Sequence, residues 1–260
     1  MLNRELLDPL DLSGITERIV SRRRVDGGFD RRYWRFRGGR WYDGIATADA
    51  VGCCLRCIFC WSWKVRDNPY TGGFYSARDV WVKLREICAR RGYRQVRVSG
   101  CEPTIAFNHL EELIRLFESE GRYLFILETN GILIGAYKEY AERLSGFKNL
   151  HVRVSIKGCS PDEFSMLTLA EPSGFELQLN ALKNLIDEGV SCHPAVMLSF
   201  SSDESKAKLI DRLKAIDDKL VKEFEEEYVF LYPHVEAKLR EYGLKPRIAF
   251  KPDAIPRDLI

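Results

Sequence analysis

Four of the eight cysteines of this chain fall between Cys53 and Cys60, in the run Gly52-Cys53-Cys54-Leu55-Arg56-Cys57-Ile58-Phe59-Cys60. A disulfide framework spreads its cysteines, so such crowding, in a chain with no apolar leader, reads as metal ligation. Cys53, Cys57 and Cys60 stand at C-x3-C-x2-C. That spacing lets a short loop wrap one corner of a four-iron cubane, supplying three thiolates and leaving the fourth iron open. Cys54 also opens a C-x2-C-x2-C series, and the four cysteines together offer the closed set that structural zinc requires, although adjacent cysteines rarely converge on one ion. Buried inert thiols are the third reading. A two-cluster ferredoxin needs a second cysteine run followed by proline, and none is present. Cys101 and Cys159 each follow a predicted strand, Cys192 precedes one and Cys88 sits within a helix. They are too dispersed to suggest an auxiliary cluster.

The loop must be held by something, and the surrounding pattern says what. Short aliphatic or β-branched runs at 45–51, 95–99, 123–129, 150–156, 194–200 and 246–250 read as strands. Helix-period segments lie at 77–91, 108–120, 136–145, 174–188, 203–224 and 233–242, with Ser76, Ser173 and Ser202 as expected caps. Six strands separated by helices, without a glycine-rich phosphate loop, predict an α/β fold of the partial (β/α)6 barrel type. The cysteines then emerge at the carboxyl end of the first strand, where such folds place ligands. At 260 residues the chain fits one large domain. Residues 45–260 are expected to form it, with 1–44 as an N-terminal extension packed on the barrel. The balance of 40 basic and 38 acidic residues, net +2, gives no whole-protein reason to expect a polyanionic partner. With no long apolar run the expectation is a soluble, cytoplasmic protein that engages no membrane.

The cysteine loop, with aromatic Phe59 before the last cysteine, resembles that of the radical S-adenosylmethionine (SAM) superfamily. Three further elements carry the likeness from about Ile45 to Phe200. Ser99-Gly100-Cys101-Glu102-Pro103 is similar to that superfamily's Gly-Gly-Glu-Pro turn, with Cys101 in place of the second glycine. Glu128-Thr129-Asn130-Gly131 is similar to the Thr-Asn-Gly turn of the activating-enzyme and deazaguanine-synthase branches. Arg153-Val154-Ser155-Ile156-Lys157-Gly158 resembles the Asp-x-Lys strand of the pyruvate formate-lyase activating enzymes, with Ser155 where those have Asp. The resemblance implies a [4Fe-4S] cluster on Cys53, Cys57 and Cys60, and SAM bound to its open iron. It also implies Phe59 near the adenine and the Gly100 to Pro103 turn with Glu102 at the ammonium. Thr129 and Asn130 would lie at the cofactor, Ser155 at the ribose, and Lys157 at the ribose or carboxylate. A ferredoxin- or flavodoxin-type donor would supply the electron.

Residues two apart in a strand share a face, so Arg153, Ser155 and Lys157 are expected to point together into the barrel. His109, His151, His193 and His234 are isolated in sequence and read as ordinary core or surface residues. Residues Arg22 to Trp41 hold eight arginines interleaved with aromatics. This stretch fits either RNA contact or a packed extension. For function, glycyl-radical activation of a partner protein leads, and a biosynthetic or tRNA-modifying enzyme acting on another substrate is the alternative. A non-enzymatic iron-sulfur carrier, which needs neither the Glu102 turn nor the polar fourth strand, comes third. The lack of a cysteine-rich C-terminal region argues against close kinship with molybdenum-cofactor protein A.

Overall fold

The computed structural model describes residues 5–256; residues 1–4 and 257–260, at the outer ends of the two expected segments, lie outside it. In chain order the elements are α1 (Pro9–Val20), β1 (Ser21–Arg23), β2 (Phe29–Gly39), a 3-10 turn (Trp41–Asp43), β3 (Ile45–Ala50), α2 (Trp63–Asp67), β4 (Gly73–Ser76), α3 (Ala77–Arg91) and β5 (Gln95–Ser99). A second 3-10 turn (Pro103–Ala106) leads into α4 (Phe107–Glu120), β6 (Leu124–Thr129), α5 (Ile132–Ala136), α6 (Lys138–Leu144) and β7 (Leu150–Ile156). Then come α7 (Pro161–Thr168), α8 (Ser173–Asp187), β8 (Cys192–Met197), α9 (Asp203–Ile216), α10 (Asp218–Lys222), β9 (Glu225–Glu227), β10 (Val229–Phe230), α11 (Pro233–Glu241) and β11 (Ala249–Phe250).

Strands β3, β5, β6, β7, β8 and β9 pair in that order, all parallel. They form the wall of a partial (β/α)6 barrel, with the helices outside it. The strands read as aliphatic because one face of each packs under those helices: Val96, Val98, Phe125, Leu127, Val152, Val154 and Val196 are all buried in one apolar core. Local chemistry sets the helix ends. Ser76 and Asp79 form a reciprocal capping box on α3, and Gly92 closes that helix in the left-handed region. Ser202 caps α9 as expected. Ser173 does not cap α8: it is the first residue inside the helix. Gly135 lets α5 seat directly on α8, since a Cβ there would lie 1.8 Å from the Leu177 carbonyl oxygen.

The last strand differs from expectation. Residues 246–250 contribute only Ala249–Phe250, paired with β10 in a separate two-stranded sheet. The sixth barrel strand is Glu225–Glu227, just past the expected 203–224 helix, which ends at Ile216 and resumes as α10. Three successive glutamates are poor strand formers. They are drawn into the sheet because cations meet them on both faces, Arg153 at Glu225 and Glu227 and Lys206 at Glu226.

The N-terminal segment is woven into the same sheet. β2 pairs antiparallel with β3, and β1 and β4 pair with β2. A register shift between Tyr33 and Arg35 resets which side chains face the helices. α1 backs the cysteine loop: a Cβ on Gly52 would strike Thr16 at 2.5 Å and Val20 at 3.0 Å. Among the described residues no helix is long and apolar enough to cross a membrane.

Candidate active site

The cysteine loop leaves the carboxyl end of β3 and is pinned from several sides. The backbone N–H groups of Arg56 and Ile58 donate to the carbonyls of Thr168 and Leu167 at the end of α7, 3.0 and 2.9 Å away. Arg66 donates to the Cys57 carbonyl and Arg56 to that of Cys53. Cys60 N closes a turn onto the Cys57 carbonyl at 3.1 Å. Cys53 and Cys60 are partly exposed, while Cys57 is buried. All are free thiols. Among the described residues no three His, Cys, Asp or Glu side chains gather closely enough for a single metal ion. A cubane instead offers a separate iron to each thiolate.

Cys54 behaves differently. It is fully buried in the apolar core and receives Asn130 Nδ2 at 3.2 Å. The Cys54 thiol beside it holds Cys53 at about 7, below the ordinary thiol range, and Cys54 itself is pushed up. Burial pushes Cys57 up to about 12, opposed by the nearby Lys157 cation.

The turns after β5 and β6 meet this loop. Gly100 carries the left-handed conformation (φ 97°), and Cys101 is not among the residues with positive φ. The turn therefore needs glycine only at the position it has kept. Glu102 N donates to the Gly52 carbonyl at 3.0 Å, which brings Cys101 beside Cys53. The Glu102 carboxylate is 1% exposed. It accepts four hydrogen bonds, from Thr104 N, Thr104 Oγ1, Thr129 Oγ1 and Asn130 N. With both oxygens so engaged, Glu102 holds the two turns together, and direct contact with an ammonium has to displace one of these donors. Pro103 opens the buried 3-10 turn that leads into α4. Asn130 Nδ2 also reaches Cys53 Sγ at 3.7 Å.

On β7 and the residue that follows it, Arg153, Ser155 and Lys157 gather on the lumen face, in keeping with their alternation. Arg153 binds Glu225 and Glu227, Ser155 Oγ donates to Glu227 at 2.8 Å, and Lys157 bonds Ser155 and lies 3.7 Å from Glu227. Lys157 Nζ is 5.9 Å from the Phe59 ring, which sits 6.3 Å from Phe200. Thus every residue expected at the cofactor stands at the carboxyl end of the parallel strands.

Several contributors were invisible in sequence. Glu128, read in the sequence only as part of its turn, lies half-buried in the lumen. Burial alone raises its pKa, but Arg97 and Arg153 and the Ser99 hydroxyl outweigh that and bring it to about 2. Arg31, 1% exposed, donates to the carbonyls of Glu102 (2.7 Å) and Val51 (3.3 Å), bracing the first two turns. Gln178 on α8 donates to the carbonyls of Asn130 and Ser155 and accepts from Lys157 N. The histidines also need correction. His151 Nε2 lies 2.6 Å from His193 Nδ1, and His193 Nε2 lies 2.9 Å from Glu225, so two side chains read as isolated form one chain at the barrel floor.

Most of the arginine-rich stretch is occupied within the protein. Arg22 pairs with Asp30, Arg24 with Asp26, and Arg35 and Arg37 with Asp49; Arg32 holds the Ile19, Tyr70 and Gly72 carbonyls.

A barrel whose first strand delivers three free cysteines to its mouth defines a class. The profile of the Radical SAM superfamily matches residues 49–213, and the chain belongs to that superfamily. Its members use a [4Fe-4S] cluster and SAM, and this chain is an enzyme of that type. Among curated proteins it is similar to the GTP 3′,8-cyclase of Petrotoga mobilis, 24% identical over 64% of this chain and 50% of the relative. A probable GTP 3′,8-cyclase of Pyrobaculum aerophilum is 22% identical over 63% and 51% respectively. The chain therefore spans about half the length of these relatives. These relatives are of the molybdenum-cofactor protein A type, and the chain is similar to them at low identity. Among solved structures, Streptococcus suis SuiB bound to S-adenosylmethionine superposes with a TM-score of 0.55 at 20% identity, over 80% of this chain and 46% of SuiB. A spore photoproduct lyase mutant with bound AdoMet and dinucleoside spore photoproduct gives 0.56 at 14% identity, over 82% and 65%. Identities this low speak for the fold.

Proposed function

We propose that Cys53, Cys57 and Cys60 hold a [4Fe-4S] cluster and that the enzyme uses SAM at the barrel mouth to start radical chemistry on a polar substrate. The observation that carries this reading is the meeting of the cysteine loop with the Glu102 and Asn130 turns at one end of the parallel strands. The chemistry such a cofactor pair supplies is reductive cleavage of the sulfonium to methionine and a 5′-deoxyadenosyl radical, which removes a hydrogen atom from substrate. The chain's own residues orient and enclose. Asn130 braces Cys53, Glu102 and Arg31 fix the turn that would receive the methionine ammonium, and Phe59 with Phe200 offers an apolar face for the adenine. Lys157 and Ser155, gathered by Glu227, stand where a ribose or carboxylate would be held. Cys54, enclosed in the core, is left out of the ligand set.

For the substrate, the charged lumen favours a small polar molecule over the backbone glycine of a partner protein. The curated relatives named for GTP chemistry lean the same way. Glycyl-radical activation is the second reading; a structure of similar fold, SuiB, is bound to a precursor peptide, SuiA, so a polypeptide partner is compatible with the fold. The test is anaerobic reconstitution followed by dithionite and SAM. We expect about four irons per chain and slow release of 5′-deoxyadenosine and methionine. Glu102→Ala and Lys157→Ala should weaken SAM binding without loss of iron. A cluster that forms but neither binds nor cleaves SAM overturns the reading. Fractionated cell extract, scored for the component that accelerates SAM consumption, separates small molecules from proteins and tRNA.

A further inference from the structure

Charge is nearly matched group by group inside the barrel, with one exception. Arg97 faces Glu128, Arg153 faces Glu225 and Glu227, and Lys157 lies by Glu227. Asp49, fully buried, carries two cations with no second carboxylate beside them, whereas Glu227, which meets Arg153 and Lys157, shares Arg153 with Glu225. Arg35 Nε lies 2.6 Å and Arg37 Nε 2.8 Å from the same oxygen, Oδ2, and Arg37 Nη2 is 3.2 Å from Oδ1. Asp49 shares a face of β3 with Thr47, whose hydroxyl accepts Arg97 Nε, so this is the lumen face. The register shift after Tyr33 puts both arginines on that face, while Tyr33 itself turns to His109 under α4.

The pair also reaches the cysteine loop. The Arg35 guanidinium lies 4.2 Å from the Trp34 ring and 5.9 Å from the ring of Trp61, the residue after Cys60. Among the described residues, no protein group accepts from either terminal nitrogen of Arg35 or from Nη1 of Arg37. Their side chains are 37% and 24% exposed. Two guanidinium groups fixed by one carboxylate leave a net positive charge with unused planar forks, the geometry that matches carboxylate and phosphate oxygens.

We propose that Arg35 and Arg37 bind an oxyanion of the substrate, carboxylate or phosphate, beside the Cys60 end of the loop. This rests on the barrel mouth being the site of the radical chemistry, and it narrows the substrate to an anionic molecule.

Calorimetric titration of the reconstituted full chain tests it, with pyrophosphate and malonate as probes and choline chloride as the ionic-strength control. One saturable site is expected, weakened at least tenfold in Arg35→Gln/Arg37→Gln and retained at saturating SAM. Asp49→Asn, which removes the competing carboxylate, should tighten it severalfold and gives a second readout should the double variant misfold. Preference for pyrophosphate assigns phosphate chemistry and preference for malonate a carboxylate. Equal affinity in the double variant overturns the proposal. So does competitive displacement by SAM, which would give the pair to the cofactor's own carboxylate. Normal iron content with neither probe bound overturns it and leaves the cluster reading intact. Probe binding in a chain that takes up no iron would do the reverse.

Discussion

Glu102 Oε1 accepts a hydrogen bond from Thr129 Oγ1 across 2.6 Å, joining the turn after β5 to the turn after β6. With Asn130 N on the other carboxylate oxygen at 2.7 Å, one buried side chain sets the spacing of two turns that flank the cysteine loop. Glu suits this position for two reasons: a shorter carboxylate fails to span both turns, and an amide lacks acceptors for four donors.

Glu102→Ala leaves those four donors without their acceptor in a water-poor site. Each unmet buried group costs roughly 1–3 kcal/mol, so a loss of about 3 kcal/mol or more in denaturant unfolding is expected. Glu102→Gln keeps one carbonyl oxygen and should lose less. Equal stability of wild type and Glu102→Ala would show that the two turns are held by other contacts.

Removing Cys53, Cys57 or Cys60 as alanine should abolish iron uptake on reconstitution, measured as iron per chain and visible absorbance. Cys54→Ala should keep the iron. Its fully buried thiol contributes packing, so a stability loss on the order of 1 kcal/mol is expected from the missing volume. A Cys54→Ala protein without iron, alongside an iron-replete Cys53→Ala, would shift the ligand set by one residue.

The parts of the site that were legible in sequence are those set by local chemistry. The cysteine spacing, the Gly100 turn, the Asn130 turn and the alternation of Arg153, Ser155 and Lys157 all depend on neighbours along the chain. Aliphatic strands such as Val96 to Val98 and Val152 to Val154 were legible for the same reason. Glu225–Glu227 was not, because its strand character comes from Arg153 and Lys206, 72 and 20 residues away. Glu128, Arg31 and Gln178 escaped likewise. A buried charge or amide announces itself only through its partners, and these come from other strands and helices. His151 and His193 look isolated in sequence because adjacent parallel strands bring them together.

His109 gives a pH dependence with a definite sign. Its Nδ1 faces the Phe29 carbonyl at 2.9 Å, so it carries the proton there, and Nε2 accepts from the Tyr33 hydroxyl at 3.0 Å. Burial lowers its pKa from 6.5 to about 4. The folded chain therefore binds fewer protons than the unfolded one between those values. The stabilisation is complete above pH 6.5 and is lost as pH falls through about 4, by about 3 kcal/mol in all. Urea unfolding from pH 7 to 4.5 should show the decline, and His109→Leu should show a shallower one. Parallel slopes in the two proteins would mean that His109 is not buried in neutral form.

Arg153 decides whether β9 stays in the barrel. Its Nε and Nη2 lie 2.8 and 2.6 Å from the Glu225 oxygens, and Nη2 is 2.9 Å from Glu227. Taking away the cation leaves two carboxylates facing each other at the lumen wall, with burial now opposing their charge. Breaking a fully buried pair from one side costs about 3–5 kcal/mol; here Glu225 is 42% and Glu227 21% exposed, so water screens the carboxylates and Arg153→Met should lose less, about 1–2 kcal/mol, in equilibrium unfolding. The loss should concentrate at β9, so hydrogen exchange at Leu198 N, which donates to the Glu227 carbonyl at 2.9 Å, should quicken before the rest of the sheet. Adding Glu225→Gln and Glu227→Gln to Arg153→Met removes the repulsion, and this triple variant should regain much of the stability, a coupling read by comparison with the Arg153→Met and Glu225→Gln/Glu227→Gln proteins. If the triple variant is no more stable than Arg153→Met, packing of the arginine's stem, and not its charge, anchors the sixth strand.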